Sequence, residues 1–332
     1  MNACDPTTGV PTTLRGSAAL LLWLIGTAAT AGSVLGLLGD RPWFLDLFSH
    51  FRLQYAAGLV IAVIGMLCFR KWGTAGVFGG ALVLNAVLIA PLWLGPERPD
   101  LRNTADIDRP GLRLVAFNVL TSNRQKSAVI GWLNEGDADV MVLQEVNAAW
   151  VRQLDDRLDG YRRLPTDSIR EDNFGMAVYL REGAEVSDIR TVTDPAGVPR
   201  LEMLLDLDGR PVRLLGVHTL PPVGGNYSWL RGEQLAEVGR IVNASAEPVV
   251  VAGDLNATRW SAPMRRLLRD TDLRDSAEGF GLGGTWPSGA GWTGRITIDH
   301  VLVDPAIEVR DRWLGPALGS DHLAVVVDLS WR

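Results

Sequence analysis

Six short motifs set a polar or ionisable residue directly against a run of apolar, mostly β-branched residues. LRLVAF runs into Asn118, VMVLQ into Glu145, VRLLGV into His218, and PVVVAG into Asp254, with Asn256 two residues on. RITI runs into Asp299-His300, and GPALGS leads to Asp321-His322 ahead of the final apolar run. A single residue of this kind is ordinarily a turn or cap group, since Asp and Asn favour the positions around a strand end. Six motifs in series, holding three of the four histidines, ask for a chemical explanation. Carboxylates and carboxamides with a few imidazoles form an oxygen-rich donor set that suits a hard divalent cation such as Mg2+ or Mn2+. The same set suits phosphoryl transfer, where positioning and charge neutralisation carry most of the catalysis. A base within hydrogen-bond reach takes the proton of a water. A histidine held by a carboxylate keeps one tautomer and favours its charged form. Thiol chemistry is excluded beyond Cys68, because Cys4 and Cys68 are the only cysteines; a cysteine-rich zinc site is excluded with it.

For these residues to meet, the apolar runs must be strands whose ends share an edge. Residues 112–117, 140–143, 176–180, 201–207, 212–217, 248–252, 296–303 and 324–329 read as strands from their β-branched and aromatic content. Apolar residues at helical spacing predict helices over 127–134, 147–158, 229–242 and 262–268. Hairpin-like strand pairs interleave with helical crossovers. That pattern predicts an α/β domain of two layered sheets with helices outside them.

The chain changes character at about residue 100. Charge-free runs of 24, 17 and 25 residues lie between Arg15 and Asp40, between Arg52 and Arg70, and between Lys71 and Glu97. A bilayer core of ~30 Å is spanned by ~20 apolar residues in helix. Three membrane-spanning helices are therefore expected at about 17–38, 53–69 and 73–94, within an anchor of residues 1–96. The first run exceeds the ~7–15 apolar residues of a signal peptide. Residues 97–110, with mixed charges and prolines, read as a linker, and residues 111–332 as a domain large enough for a substantial core. Arg70-Lys71 between the second and third runs, and Arg15 before the first, outweigh Arg41 and Arg52 in the intervening loop. By the positive-inside rule the N-terminus then lies inside and residues 111–332 lie outside the cell membrane. Asn85 in the third run is expected to hydrogen-bond between helices.

At the level of motifs, FNV (117–119), LQE (143–145), GVH (216–218), GDLNA (253–257), IDH (298–300) and GSDH (319–322), in this order, resemble the endonuclease/exonuclease/phosphatase superfamily. This is the metal-dependent phosphoesterase fold of DNase I, abasic-site endonucleases, neutral sphingomyelinases and inositol polyphosphate 5-phosphatases. The resemblance covers residues 111–332 and implies a four-layer α/β/β/α sandwich of DNase I type behind a three-helix membrane anchor. It implies a role for each motif residue. Glu145 is the principal metal ligand, Asn118 helps to hold metal and phosphate, and Asp321 is the acidic partner at the metal side. His322 stands beside the scissile phosphate and Asp299 orients it. Asp254 activates the attacking water, Asn256 binds a non-bridging phosphate oxygen, and His218 stabilises the transition state or assists the leaving group. His300 stands where the family often has tyrosine; it is expected to pack and has no catalytic role.

Three spans followed by such a domain resemble a bacterial membrane-anchored subgroup that includes YafD-like and VanJ-like proteins. That resemblance implies a phosphate ester or pyrophosphate of a lipid or cell-envelope substrate, with the lipid bilayer as a partner. A domain tethered ~15 residues beyond a span meets head groups at high effective concentration. Two segments rich in glycine and aromatics, 221–229 (PPVGGNYSW) and 279–292 (GFGLGGTWPSGAGW), carry Tyr227, Trp229, Trp286 and Trp292. These could line a substrate lip, rest at a membrane interface or cap the sheets. Residues 111–332 hold 24 Lys/Arg against 31 Asp/Glu. A domain that grips nucleic acid normally shows the opposite balance, so an extracytoplasmic nuclease is the second expectation. A catalytically silent binding module is the third, and the intact motif set argues against it.

Overall fold

The structure, a computed structural model, describes residues 12–39, 42–95 and 111–332. The linker expected at 97–110, Cys4 and Arg41 lie outside the described residues, as does the side chain of Arg15. The chain divides into two units between Pro91 and Leu92.

The first unit contains α1 (Thr12–Leu35), α2 (Trp43–Asp46), α3 (Arg52–Cys68) and α4 (Trp72–Ile89). Three stretches, Gly16–Leu38, Trp43–Cys68 and Trp72–Leu92, are long and apolar enough to cross a membrane. Their inward residues are mostly small: Ala29, Ala62, Ala75 and Ala81 pack with Leu59, Met66 and Phe78. A Cβ on Gly26 would come within 2.2 Å of the Phe78 ring, so α1 and α4 approach closely only because this position is glycine. The outward residues include Leu20, Leu21, Leu24, Ile61, Ile64, Val77, Val83 and Val87, all exposed. Such an apolar outer face is what a helix shows to lipid. Asn85 of α4 donates to Ser33 Oγ of α1 at 2.7 Å. Arg52 opens α3, buried, and donates to the Ser33 carbonyl at 2.6 Å. It therefore lies inside the second of the three apolar stretches, Trp43–Cys68.

The second unit carries two six-stranded mixed sheets. Its elements run β1 (Leu112–Asn118), α5 (Lys126–Glu135), β2 (Val140–Gln144), α6 (Ala148–Arg157), β3 (Tyr161–Arg163), β4 (Met176–Arg181), β5 (Val186–Thr193), β6 (Pro199–Leu207) and β7 (Arg210–His218). They continue as α7 (Gly225–Ala244), β8 (Val249–Asp254), α8 (Ala262–Thr271), β9 (Arg274–Asp275), β10 (Asp299–Val303), β11 (Ile307–Leu314) and β12 (Val325–Trp331). One sheet has the order β11-β12-β1-β2-β4-β3, the other β5-β6-β7-β8-β10-β9.

Side-chain alternation sorts the strands into layers. Leu114 and Ala116 of β1, Val140 and Val142 of β2, Leu214 of β7 and Val250 and Ala252 of β8 fill the core between the sheets. Val115, Phe117, Met141 and Leu143 face the other way, onto Val129, Ile130 and Leu133 of α5 and Trp150 and Leu154 of α6. Leu215, Val217 and Val251 face Leu235 and Val238 of α7 and Met264 and Leu267 of α8. The result is the four-layer α/β/β/α arrangement of the DNase I-like fold. Strands apolar on both faces can only be interior strands, which is why they were legible as runs.

The four strands absent from the sequence reading are β3, β5, β9 and β11. They are the four outer edges of the two sheets. Edge strands carry charges and half-buried residues, as VSDIRTVT does in β5, and so show no apolar run. One boundary also shifts. The strand expected over 296–303 begins at Asp299, so Asp299 opens β10 instead of lying within it.

Candidate active site

Each sheet holds one parallel pair near its middle, β1 with β2 and β7 with β8. Mixed sheets of this kind gather ligands beyond the carboxyl ends of their parallel strands. The register brings Asn118 opposite Gln144, one residue before Glu145, and His218 opposite Asp254. Strand β10 runs antiparallel to β8, so its first residue, Asp299, reaches the same edge and pairs with Asp254. The turn 319–322 precedes β12, which runs antiparallel to β1, and it too arrives there.

Backbone geometry at two motifs requires specific residues. Gly253 has φ +142°, and a Cβ there would lie 2.0 Å from the Val217 carbonyl oxygen, so GDLNA can only begin with glycine. Glu145 has φ +60°, a conformation uncommon for a side chain with Cβ. It is held by Thr121, whose N–H donates to Oε2 at 3.0 Å and whose hydroxyl donates to the Glu145 carbonyl at 3.2 Å.

Asn118 joins the two sheets. Its Nδ2 donates to Glu145 Oε1 at 3.0 Å and to Asp254 Oδ2 at 3.1 Å, while its Oδ1 accepts from the Leu120 N–H at 3.1 Å. Around Asp254 Oδ2 stand His218 Nε2 at 3.6 Å and His322 Nε2 at 3.7 Å. The other ring nitrogen of His322 donates to Asp299, at 2.9 Å to Oδ2 and 3.1 Å to Oδ1. Asn256 donates its N–H to Asp254 Oδ1 at 2.9 Å and its side-chain amide to the Thr219 carbonyl at 2.8 Å. Asn118, Glu145, His218, Asp254, Asp299 and His322 thus form one buried cluster with Asn256 at its side. Asp321 sits at the margin, its carboxylate 48% exposed, with Oδ1 4.0 Å from His322 Nε2.

The electrostatics follow from burial and from the shortage of positive charge. Burial raises the pKa of Asp254 and the neighbouring Asp299 raises it further, while His322 and His218 oppose both. Burial also lowers His218, only partly countered by Asp254, so His218 is a neutral imidazole at neutral pH. Burial would lower His322 as well, but Asp299 and Asp254 outweigh it and push it up to about 10. The cluster holds three carboxylates against one imidazolium. Asp299 and His322 neutralise each other, which leaves Glu145 and Asp254 tethered to a single amide.

An oxygen-rich pair short of charge fits a hard divalent cation. Asp254, Asp299 and His322 offer ligand atoms within 4.8 Å of one another. That group differs from the set implied by the resemblance, Glu145, Asn118 and Asp321. In this geometry Asn118 turns its N–H, not its oxygen, toward the carboxylates. The Asp299–His322 ion pair already satisfies two members of the tighter group.

Three residues that escaped the sequence reading, Ser320, Thr121 and Phe174, support the cluster, together with Trp286, which the sequence marked only as an aromatic of a possible lip. Ser320 donates to the Asn118 carbonyl at 2.7 Å and accepts from the His322 N–H at 3.0 Å, latching one sheet's turn to the other residues. Its place inside GSDH was the available signal. Thr121 holds Glu145 as described. Phe174 stacks against His218 with ring centroids 5.2 Å apart, and Trp286 Nε1 donates to Asp321 Oδ2 at 3.1 Å. These three lie in loops with no periodicity to mark them.

His300 does not join the cluster. Its Nδ1 donates to Asp275 Oδ2 at 3.0 Å and its Nε2 to the Ala257 carbonyl at 2.9 Å. Both partners accept, so the ring donates from both nitrogens and forms the cationic half of a buried ion pair. Burial alone would raise Asp275, but the His300 charge and hydrogen bond hold it well below the usual carboxylate range. His300→Phe should therefore destabilise the fold by about 3–5 kcal/mol, the cost of a buried charge left unpaired. A depressed carboxylate contributes stability above its unfolded pKa of about 3.9 and loses it as the pH falls. The melting-temperature difference from wild type should accordingly be largest near neutral pH and narrow in acid, with kcat of the folded variant within about tenfold. Unchanged melting curves at neutral pH would refute the ion pair.

The family model described as the Endonuclease/Exonuclease/phosphatase family matches residues 115–322. Among solved structures, an endonuclease/exonuclease/phosphatase from Bacteroides vulgatus is 19% identical, covering 67% of this chain and 99% of that one, with a TM-score of 0.55. A mannosyl-6-phosphatase from Bacteroides thetaiotaomicron is 16% identical over 66% of this chain and 100% of that one, with a TM-score of 0.51. D. rerio TDP2 complexed with single strand DNA product is 18% identical over 66% and 98%, with a TM-score of 0.54. At these identities the likeness shows the fold. No curated protein matched the chain.

Proposed function

The chain belongs to the endonuclease/exonuclease/phosphatase family, and from that premise we propose a membrane-anchored, divalent-cation-dependent hydrolase of a phosphate ester or pyrophosphate on a lipid or cell-envelope substrate. The observation that carries the chemistry is the convergence of Asn118, Glu145, His218, Asp254, Asp299 and His322 at one edge of both sheets, with three carboxylates against one imidazolium. The anchoring rests on three apolar helices ahead of this domain, the arrangement that resembles the YafD-like and VanJ-like subgroup.

Each residue has a task its surroundings suit. Asp254, buried and raised in pKa, accepts the proton of an attacking water. His322, kept charged and oriented by Asp299, presents a hydrogen-bond donor and a positive charge to the phosphoryl oxygens. Asn256, fixed by Thr219 and Asp254, offers its remaining amide N–H to a non-bridging oxygen. His218, neutral, supplies a hydrogen bond near the leaving group. Glu145, with Asn118 beside it and Asp321 on the exposed side, would hold Mg2+ or Mn2+, which when bound neutralises charge on the phosphoryl oxygens.

Purified full-length protein should release phosphate, or a phosphorylated head group, from a lipid phosphate ester in the presence of Mg2+. EDTA should abolish turnover and added Mg2+ restore it. Cleavage of DNA with no lipid turnover would establish the nuclease instead, and Mg2+-independent inertness toward lipid phosphates, soluble esters, nucleotides and DNA would establish a binding module. We place residues 111–332 outside the cell membrane, from Arg15 and Arg70-Lys71 on the opposite side of three spans. Protease added to intact spheroplasts should digest this domain; complete protection would reverse the orientation.

A further inference from the structure

Among the described residues from 111 to 332, the large apolar side chains that stand exposed are Val223, Tyr227, Trp229, Trp286 and Trp292. Soluble surfaces scatter such residues singly. Here all five fall in two segments, and these flank the end of β8. The first continues from His218 at the end of β7 into the start of α7; the second leads into Asp299 at the start of β10. Both are tied down beside the catalytic cluster. Leu220 N–H donates to Gln234 Oε1 at 2.8 Å, and the Thr219 carbonyl receives the Asn256 amide at 2.8 Å. Ser288 N–H donates to the Asp321 carbonyl at 2.7 Å and Ser288 Oγ to the Ser320 carbonyl at 2.6 Å.

We propose that this rim is a lipid-docking surface, with Val223, Trp229 and Trp292 entering the boundary between head groups and acyl chains around the site. Three features favour lipid over a protein partner. The rim segments 219–230 and 279–294 contain no charged residue, in a domain with 31 acidic and 24 basic ones. An uncharged rim lets an acidic domain approach a phospholipid surface without repulsion at the contact, and it offers a protein partner no ion pairs for register. Tryptophan and tyrosine combine an apolar body with one polar hydrogen, the composition that rests at a bilayer interface. A specific protein interface also requires ~800 Å² on each side, whereas a tethered domain at high effective concentration is held by a few inserted side chains.

The inference rests on the membrane anchoring proposed above for the presence of lipid, and its test does not depend on turnover. Full-length protein lacking its own cysteines (Cys4→Ser, Cys68→Ser) would be reconstituted into phosphatidylcholine–phosphatidylglycerol vesicles. It would carry Trp229→Cys, Trp292→Cys or, as a control at the opposite end of the sheets, Glu182→Cys, each labelled with an environment-sensitive fluorophore. Labels at 229 and 292 should shift to shorter wavelength, be quenched severalfold more by nitroxide-labelled lipid than the label at 182, and resist aqueous iodide. Equal iodide quenching at all three positions, without lipid quenching, would overturn the proposal. Lipid quenching at 229 and 292 without turnover of any lipid phosphate would leave docking intact and remove the lipid substrate. Turnover of lipid phosphate with no lipid quenching would do the reverse.

Discussion

Asp254→Asn is expected to lower kcat by ~10²-fold or more, about 3 kcal/mol of transition-state stabilisation, while the protein melts at or above the wild-type temperature. The two halves of this expectation have one cause. Asp254 is buried, close to Asp299 and linked through one amide to Glu145, and its raised pKa records the cost of holding a charge there. Asparagine keeps the shape and sheds that cost, which offsets the one accepted hydrogen bond it gives up, from Asn118 or from Asn256. The reaction loses the group that takes the water proton and the charge that faces His218 and His322. A residue that served only as a turn or cap would behave oppositely: its loss would lower the melting temperature and leave the folded fraction active. Turnover at saturating Mg2+ together with a melting curve separates the cases. Activity within fivefold of wild type at an unchanged melting temperature would remove Asp254 from the chemistry.

Asp254 stands out in the sequence because of where information sits in this chain. Interior strands such as VMVLQ and PVVVAG are buried on both faces, so they are continuous apolar runs, and a polar residue at their end stands out. The candidate site is built almost wholly from such ends, which is why Asn118, Glu145, His218 and Asp254 were legible as a group. Edge strands were not, because β3, β5, β9 and β11 compromise between pairing and solvent and lose the pattern. The supports of the site were also hidden. Thr121 and Phe174 act through a loop conformation that no period encodes. The partnership of His300 with Asp275 is set by a 25-residue separation, and only the pairing of β9 with β10 brings them together. Packing was expected of His300; the position instead holds a buried ion pair.

Glu145→Gln isolates the cation. The variant keeps the volume, the left-handed backbone and an oxygen to accept from Thr121 N–H, and it removes one of the two charges left uncompensated by the Asp299–His322 pair. If that charge holds a divalent ion, the Mg2+ concentration for half-maximal activity should rise by more than tenfold, and kcat at saturating Mg2+ should fall by ~10²-fold. Asp321→Asn is the graded comparison. Its carboxylate is half exposed and already bonded to the Trp286 indole, so solvent screens it and the shift in Mg2+ requirement should be smaller. Direct Mn2+ binding by the full-length protein, followed by electron paramagnetic resonance, reads the same order without turnover: wild type tightest, Asp321→Asn next, Glu145→Gln weakest. The tight donor group of Asp254, Asp299 and His322 provides the competing outcome. If the ion is held there, Asp299→Asn should abolish Mn2+ binding and Glu145→Gln should leave it unchanged. If Glu145 holds it, Asp299→Asn should bind Mn2+ and fail through His322, whose pKa would fall from about 10 once its largest carboxylate partner is gone.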